Sequence, residues 1–315
     1  MATAELDVAN RPVPQTLRRR SLYRDAVRRF FRNRLSIIGL TIVIALLIVA
    51  IFADDWFVAP LLGRAPQPLI AHYRYDEAFV GPTGAFPSEE FWMGTDLNGR
   101  DEWSRIVYGA RVSLSIAILS QFFALLIGLP MGALAGWRGG KVDYVIMRIV
   151  DIMSALPVLL LAFLIMLRMG ASYWNVLLAL SLTTWIEICR LTRGQFLTLR
   201  EKEFVEAARA VGSRTPRIVF GQILPNALAP IIVSVTLGIP RAIFAEASLS
   251  FLGVGINPPT PSWGQMIGRE GIANMTYFWH LALFPAIAIA LTMLGFTLVG
   301  DGLRDALDPK MVEGK

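Results

Sequence analysis

Long stretches without a single Asp, Glu, Lys or Arg constrain this chain more than any other feature. They cover residues 35–53, 112–137, 152–167, 169–186, 218–240, 247–268 and 271–300. One such charge at a bilayer centre costs roughly 2.5–3.5 kcal/mol on insertion scales. A spanning helix needs about 20 apolar residues at about 1.5 Å each. The 152–167 run is short, but a start near Tyr144 lengthens it, and Arg148 and Asp151 then lie three apart on one helix face as a candidate structural ion pair. The 247–268 run contains Asn257-Pro258-Pro259-Thr260-Pro261-Ser262-Trp263-Gly264, a turn-rich segment that is re-entrant or external and not a continuous helix. The chain therefore reads as all-α and polytopic, with six transmembrane helices.

Composition excludes the soluble alternatives. The hydrophobic fraction is 55% and the charged fraction 17%, against about 45–50% and about 25% in ordinary soluble domains. A single cysteine, Cys189, rules out an internal disulfide, and two histidines, His72 and His280, leave little for a metal site. The formal charge of +6 is explained by where the basic residues lie. A path with the N-terminus inside places 22 of the 30 Lys and Arg on one face, in the tail before Leu35, around 138–148, across 190–217 and at the C-terminus. Basic residues hold short loops at the inner leaflet, so both termini are expected in the cytoplasm and no nucleic acid is needed as partner.

The expected organisation follows. Residues 1–34 form a basic cytoplasmic tail, 35–53 an uncleaved first span and 54–107 an extracytoplasmic segment. Residues 108–300 form a five-helix core with a cytoplasmic loop at 190–225, and 301–315 a cytoplasmic tail. Gly128, Gly132 and Gly136 recur every fourth residue, which permits close helix approach within the chain or to another subunit.

Catalytic patterns are absent from the sequence. Gly139-Gly140-Lys141 is followed by Val142 and lacks the earlier glycine of a phosphate-binding loop, and neither H-E-x-x-H nor G-x-S-x-G occurs. No residue is assigned to catalysis, cofactor or metal. The informative polar stretch is 200–230. Phe204, Ala207, Ala208 and Val211 fall at i, i+3, i+4 and i+7, one apolar face of a helix. Gly212 ends that helix, Thr215-Pro216 starts another, and Leu224-Pro225 redirects the chain into the next span.

Glu206-Ala207-Ala208, then Gly212, then Ile223-Leu224-Pro225, resembles the EAA coupling loop of ABC-importer permeases. Gly94-Thr95-Asp96 with Gly99-Arg100-Asp101, Arg190-Leu191-Thr192-Arg193, Pro259-Thr260-Pro261-Ser262-Trp263-Gly264 and the segment 300–309 are similar to the peptide and nickel branch of that family. The resemblance implies the type I ABC-importer permease (MetI-like) architecture and a role in ATP-driven import of di- or oligopeptides. It implies a second permease subunit, two cytoplasmic ATPases that bind ATP and Mg, and an extracytoplasmic solute-binding protein, in a bacterial inner membrane. It assigns ATPase coupling to Glu206, Ala207, Ala208, Gly212, Ile223, Leu224 and Pro225. A nickel-chelate permease and an ion-coupled secondary transporter are the alternatives. For the solute path the candidates are Glu246 and Arg241; Glu246 contacts a peptide ammonium, or pairs with Arg241 or with the partner permease, and the sequence leaves these open.

Overall fold

In a computed structural model that describes residues 22–308, the first apolar run becomes α2 (Arg34–Ile51). Its start is set by Asn33, whose side chain accepts the Leu35 N–H at 3.0 Å and satisfies a donor the helix cannot. The preceding α1 (Leu22–Phe30) buries Ala26 and Phe30 against Ala306, near the end of the last helix, α11 (His280–Leu307). Both ends of the described chain thus meet at one end of the helix bundle. Arg11, Arg18, Arg19, Arg20, Lys310 and Lys315, on which part of the charge argument rests, lie outside the described residues.

Between α2 and the next span, residues 52–101 form turns, one short 3₁₀ helix at Ala59–Leu62 and two isolated bridges. Asp55 ties this segment together. It accepts the Gln67 N–H at 2.6 Å and pairs with Arg64, and these contacts hold its carboxyl below the usual range. The segment ends at Asp101, which accepts the Ser104 N–H at 2.9 Å and starts α3 (Glu102–Arg138), so the span begins before residue 108. At 37 residues α3 is about 55 Å long, enough to cross and project.

The third span differs from expectation. α4 (Gly140–Ser154) and α5 (Val158–Met169) are separate helices bent by 78°. Pro157 precedes the first turn of α5 and cannot continue α4, because it has no N–H to donate. α6 (Tyr173–Arg200) extends eleven residues into the expected 190–225 loop. The glycine spacing on α3 is answered here. A Cβ on Gly128 would lie 2.6 Å from the Trp185 carbonyl oxygen, and one on Gly136 would lie 2.6 Å from the Phe196 Cβ. One on Gly132 would collide with the Cys189 carbonyl. The stripe is a seam between α3 and α6 of this chain. We expect Gly132→Leu to cost about 1–3 kcal/mol or more by overpacking, read as a lower unfolding temperature of the purified protein.

After α7 (Glu203–Ala210), α8 (Thr215–Ile218) runs through one wide π turn at Val219–Ile223 into α9 (Leu224–Phe251). The expected break at Leu224-Pro225 is therefore not made. The π turn shifts the hydrogen-bond register, the Leu224 N–H bonding to the Val219 carbonyl, and Pro225 enters as a first-turn residue where its missing N–H costs nothing. Beyond α9 the chain folds back. α10 (Trp263–Met266) buries Trp263, whose indole N–H donates to the Ile106 carbonyl at 3.1 Å, and a Cβ on Gly264 would strike the Ala247 backbone. The 247–268 stretch is thus half helix and half a return packed on α3 and α9. α11 then runs to Leu307, so residues 301–307 continue the last span.

Among the described residues four helices are long and apolar enough to cross a membrane, counting 215–251 as one, and the bent α4–α5 pair makes a fifth. α6 falls short on apolarity because it carries Tyr173, Trp174 and Asn175 at one end, Glu187 at mid-length, and Arg190 and Arg193 beyond it. Counted as a crossing, its 28 residues bring the total to six. Ile37, Ile44 and Ile48 on α2 and Leu160, Phe163 and Leu164 on α5 are exposed. Such apolar surface suits contact with lipid or another membrane subunit, not water.

Candidate functional site

At the end of the bundle that carries both described ends, α7 is a short helix lying on the core. Glu203 and Glu206 occupy its first turn and Arg209 its last, the charge order that the helix dipole favours. Val205 and Ala208 are buried with Phe196, Ile218, Ile223 and Ala227. The Arg209 guanidinium lies 5.3 Å from the Trp137 ring centre, a second tie to the core. Gly212 then takes φ +76°, its N–H donating to the Arg209 carbonyl at 2.9 Å, while the Ser213 N–H reaches the Ala208 carbonyl at 3.0 Å. This is a Schellman-type stop that satisfies the last carbonyls.

The outward face is not the one expected. Ala208 points inward and seats the helix, whereas Ala207 and Glu206 are exposed. Phe204 and Val211 flank them at 40% and 80% exposure. The signal that the i, i+3, i+4, i+7 pattern concealed is Val205: an octamer has two apolar edges, and the β-branched residue took the inner one. Ile223 is buried at the root of the helix pair, Leu224 is partly buried and Pro225 is exposed. The seven residues thus share one elbow, but only Glu206, Ala207, Gly212 and Pro225 among them are exposed.

The remaining expected pairs rearrange. Asp151 bonds to Arg190 at 2.9 Å, across from α4 to α6, and not to Arg148, which is exposed. The bend after Ser154 brings α4 against α6, where Arg190 also reaches the Ser154 hydroxyl at 2.9 Å. Arg241 does not meet Glu246. It grips Glu187 with two bonds of 2.5 and 2.9 Å. Glu246 lies five residues further along α9, fully buried, and accepts from the hydroxyls of Ser113 at 3.0 Å and Ser250 at 2.8 Å. Three elements meet at this node, since the Trp263 N–H also approaches Ser113 at 3.4 Å. Glu246 is thus held by hydroxyls inside the chain and is not the partner of Arg241.

A buried ion network at the opposite end went unforeseen. Asp96 Oδ2 accepts from Arg100 and Arg105, each at 2.5 Å, and Asp96 Oδ1 accepts the N–H groups of Asn98 and Arg100 at 2.7 and 2.9 Å. Glu270 completes it with contacts of 3.0 Å to Arg100 and 2.9 Å to Arg105, and Glu102 stands 3.8 Å from Arg105. The network locks the 94–101 turns to α3 and to the π turn at Ile267–Gly271. Its signal was present in Gly94-Thr95-Asp96 with Gly99-Arg100-Asp101, where alternating charges among glycines require a partner.

The family described as binding-protein-dependent transport system inner membrane component matches residues 128–313, and the N-terminal TM domain of oligopeptide transport permease C matches 21–83. The oligopeptide transport system permease protein OppC of Bacillus subtilis (strain 168) is 41% identical over 292 residues, 92% of this chain and 90% of the relative. The dipeptide transport system permease protein DppC of Alkalihalophilus pseudofirmus is 42% identical over 291 residues, 92% and 91% of the two chains. The glutathione transport system permease protein GsiD of Escherichia coli O6:K15:H31 is 40% identical over 292 residues, 93% and 92%. In fold, an inward-facing structure of the MetNI methionine ABC transporter aligns with TM-score 0.54 and 21% identity, over 64% of this chain and 96% of that one. Identity above 40% along nine-tenths of the length, on a matching all-helical frame, makes this chain a member of the binding-protein-dependent transport system inner membrane component family, the permeases of ABC transporters.

Proposed function

We propose that the chain is one of two permease subunits of an ATP-driven importer of di- or oligopeptides. It would work with two cytoplasmic ATPases, which bind ATP and Mg, and with an extracytoplasmic solute-binding protein. The observation that carries the reading is the α7 elbow: a helix seated on the core through Val205 and Ala208, presenting Phe204, Glu206, Ala207 and Val211 outward with no partner among the described residues. In this reading the ridge docks in a groove of an ATPase. Ala207 permits close approach, Glu206 supplies a polar contact, Ala208 holds the helix to the permease and Gly212 sets the turn. Ile223, Leu224 and Pro225 root the elbow in α9, so displacement of the ATPase moves a span. Both termini then face the cytoplasm, on the same side as α7, and residues 52–101 face the binding protein.

Chemical energy biases such a cycle only through unequal affinity for the inward- and outward-open states. The peptide assignment draws on the OppC and DppC relatives. A complex reconstituted in vesicles with its ATPases and binding protein should accumulate a labelled dipeptide when ATP is present. Accumulation driven by an ion gradient without ATP would refute this reading and favour a secondary transporter.

A further inference from the structure

Two cavities run along the face formed by the α4–α5 bend, α6 and α9. The larger, about 750 Å³, reaches toward the α7 end, with Arg190, Pro230 and Arg304 among its walls. The smaller, about 320 Å³, lies toward the other end, near Gln121, Phe244 and Ser248. Five residues line both: Val158, Thr183, Glu187, Ser234 and Arg241. The Glu187–Arg241 pair therefore stands at the waist where the cavities meet.

Its depth and exposure set it apart from a structural pair. Glu187 lies midway along α6, about 20 Å from either end at 1.5 Å per residue. A charge within a membrane span is costly in lipid and by default faces a polar path. Yet the side chains of Glu187 and Arg241 are 53% and 58% exposed within the chain. The neighbouring Arg190 is committed to Asp151 and Ser154, and the Ser234 hydroxyl donates to Glu187 at 3.4 Å. An exposed ion pair contributes little net stability. A solute carrying the same two charges can exchange with it at little net cost, ammonium to Glu187 and carboxylate to Arg241, while the remaining shared wall residues offer hydroxyls and one apolar side chain.

We propose that Glu187 and Arg241 form a transit site for zwitterionic solutes, each side chain exchanging its partner for one terminus of a peptide passing the waist. The inference rests on the peptide-importer reading and adds to it the residues that touch the solute. If the pair merely staples α6 to α9, glutamine at either position keeps a hydrogen bond to the partner and changes little.

The test uses the reconstituted complex and a labelled dipeptide with free termini, with three readouts: uptake, ATP hydrolysis stimulated by the loaded binding protein, and unfolding temperature. Glu187→Gln and Arg241→Gln should each lower uptake about tenfold, the loss of one charge-assisted contact of about 1.4 kcal/mol. Stimulated hydrolysis should stay within about twofold and the unfolding temperature within a few degrees. Normal uptake in either variant overturns two-ended recognition. Uptake that falls only in step with hydrolysis or stability makes the pair a staple, and also overturns it. A wild-type complex that moves no dipeptide fails before any variant is compared; it sinks the peptide reading first and this inference with it.

Discussion

Gly212→Val should cut peptide uptake by about tenfold or more while the permease still folds and inserts. The residue holds φ +76°, where a β-branched side chain is a strong outlier. Forcing an L-residue into left-handed backbone costs about 1–2 kcal/mol, and more for valine. Nothing stands within 4 Å of a Cβ built at Gly212, so the penalty falls on the backbone and not on packing. The strain is relieved by opening the stop that ties Gly212 to Arg209 and Ser213 to Ala208, which unwinds the last turn of α7 and displaces Val211 from the ridge. Gly212→Asn is the control, because asparagine tolerates this conformation and should retain most of the uptake. Glu206→Lys should fail as well, from the other end of the helix: it leaves Val205 and Ala208 seated, but reverses the charge on the exposed face and opposes the dipole. Uptake and ATP hydrolysis measured on purified complexes decide the matter. Normal transport by both Gly212→Val and Glu206→Lys would detach α7 from the coupling step.

Asp96→Ala should be among the most destabilising single changes in the chain, at about 3–5 kcal/mol for removing one partner of a buried charge network. One carboxylate oxygen serves both Arg100 and Arg105, and Arg105 is almost fully buried. Without it, two guanidinium groups share Glu270, which is 17% exposed, and a Glu102 carboxylate 3.8 Å away. The other carboxylate oxygen holds the turn by accepting two backbone N–H groups. Asp96→Asn keeps an acceptor for that turn and removes only the charge, so it should fall between wild type and alanine. Thermal unfolding and the amount of protein recovered from membranes report the order. An Asp96→Ala protein that unfolds within about a degree of wild type would mean that the network adds nothing net, the outcome in which desolvation cancels attraction.

Much of the architecture was legible because lipid imposes a simple rule. Charge-free runs mark spans, and α2, α3, α9 and α11 each fall on one. What could not be read was where a helix tolerates proline. Pro157 ends a helix and Pro225 does not, and the difference is a wide turn upstream of Pro225 that no composition rule announces. The elbow was legible through Gly212, since a positive φ at the end of a short amphipathic helix strongly prefers glycine. Its exposed face was not, because eight residues are too few for periodicity to choose between Val205 and Phe204. Partner choice among intramembrane charges failed for a related reason. Arg241 lies 5 positions from Glu246 in sequence, off the i+4 neighbour position, and 54 from Glu187, which the fold sets beside it. Sequence distance ranks these the wrong way round.

The glycine seam has a mechanical corollary. Where carbonyl oxygens and Cβ atoms fill the space a methyl group would need, two rods cannot slide past one another without steric collision. α3 and α6 therefore behave as a single stiff beam about 40 Å or more in length. If α7 couples to an ATPase as proposed, a push at Val205 and Ala208 enters beneath that beam, and the 78° joint between α4 and α5 is a break in the helices that lies outside it.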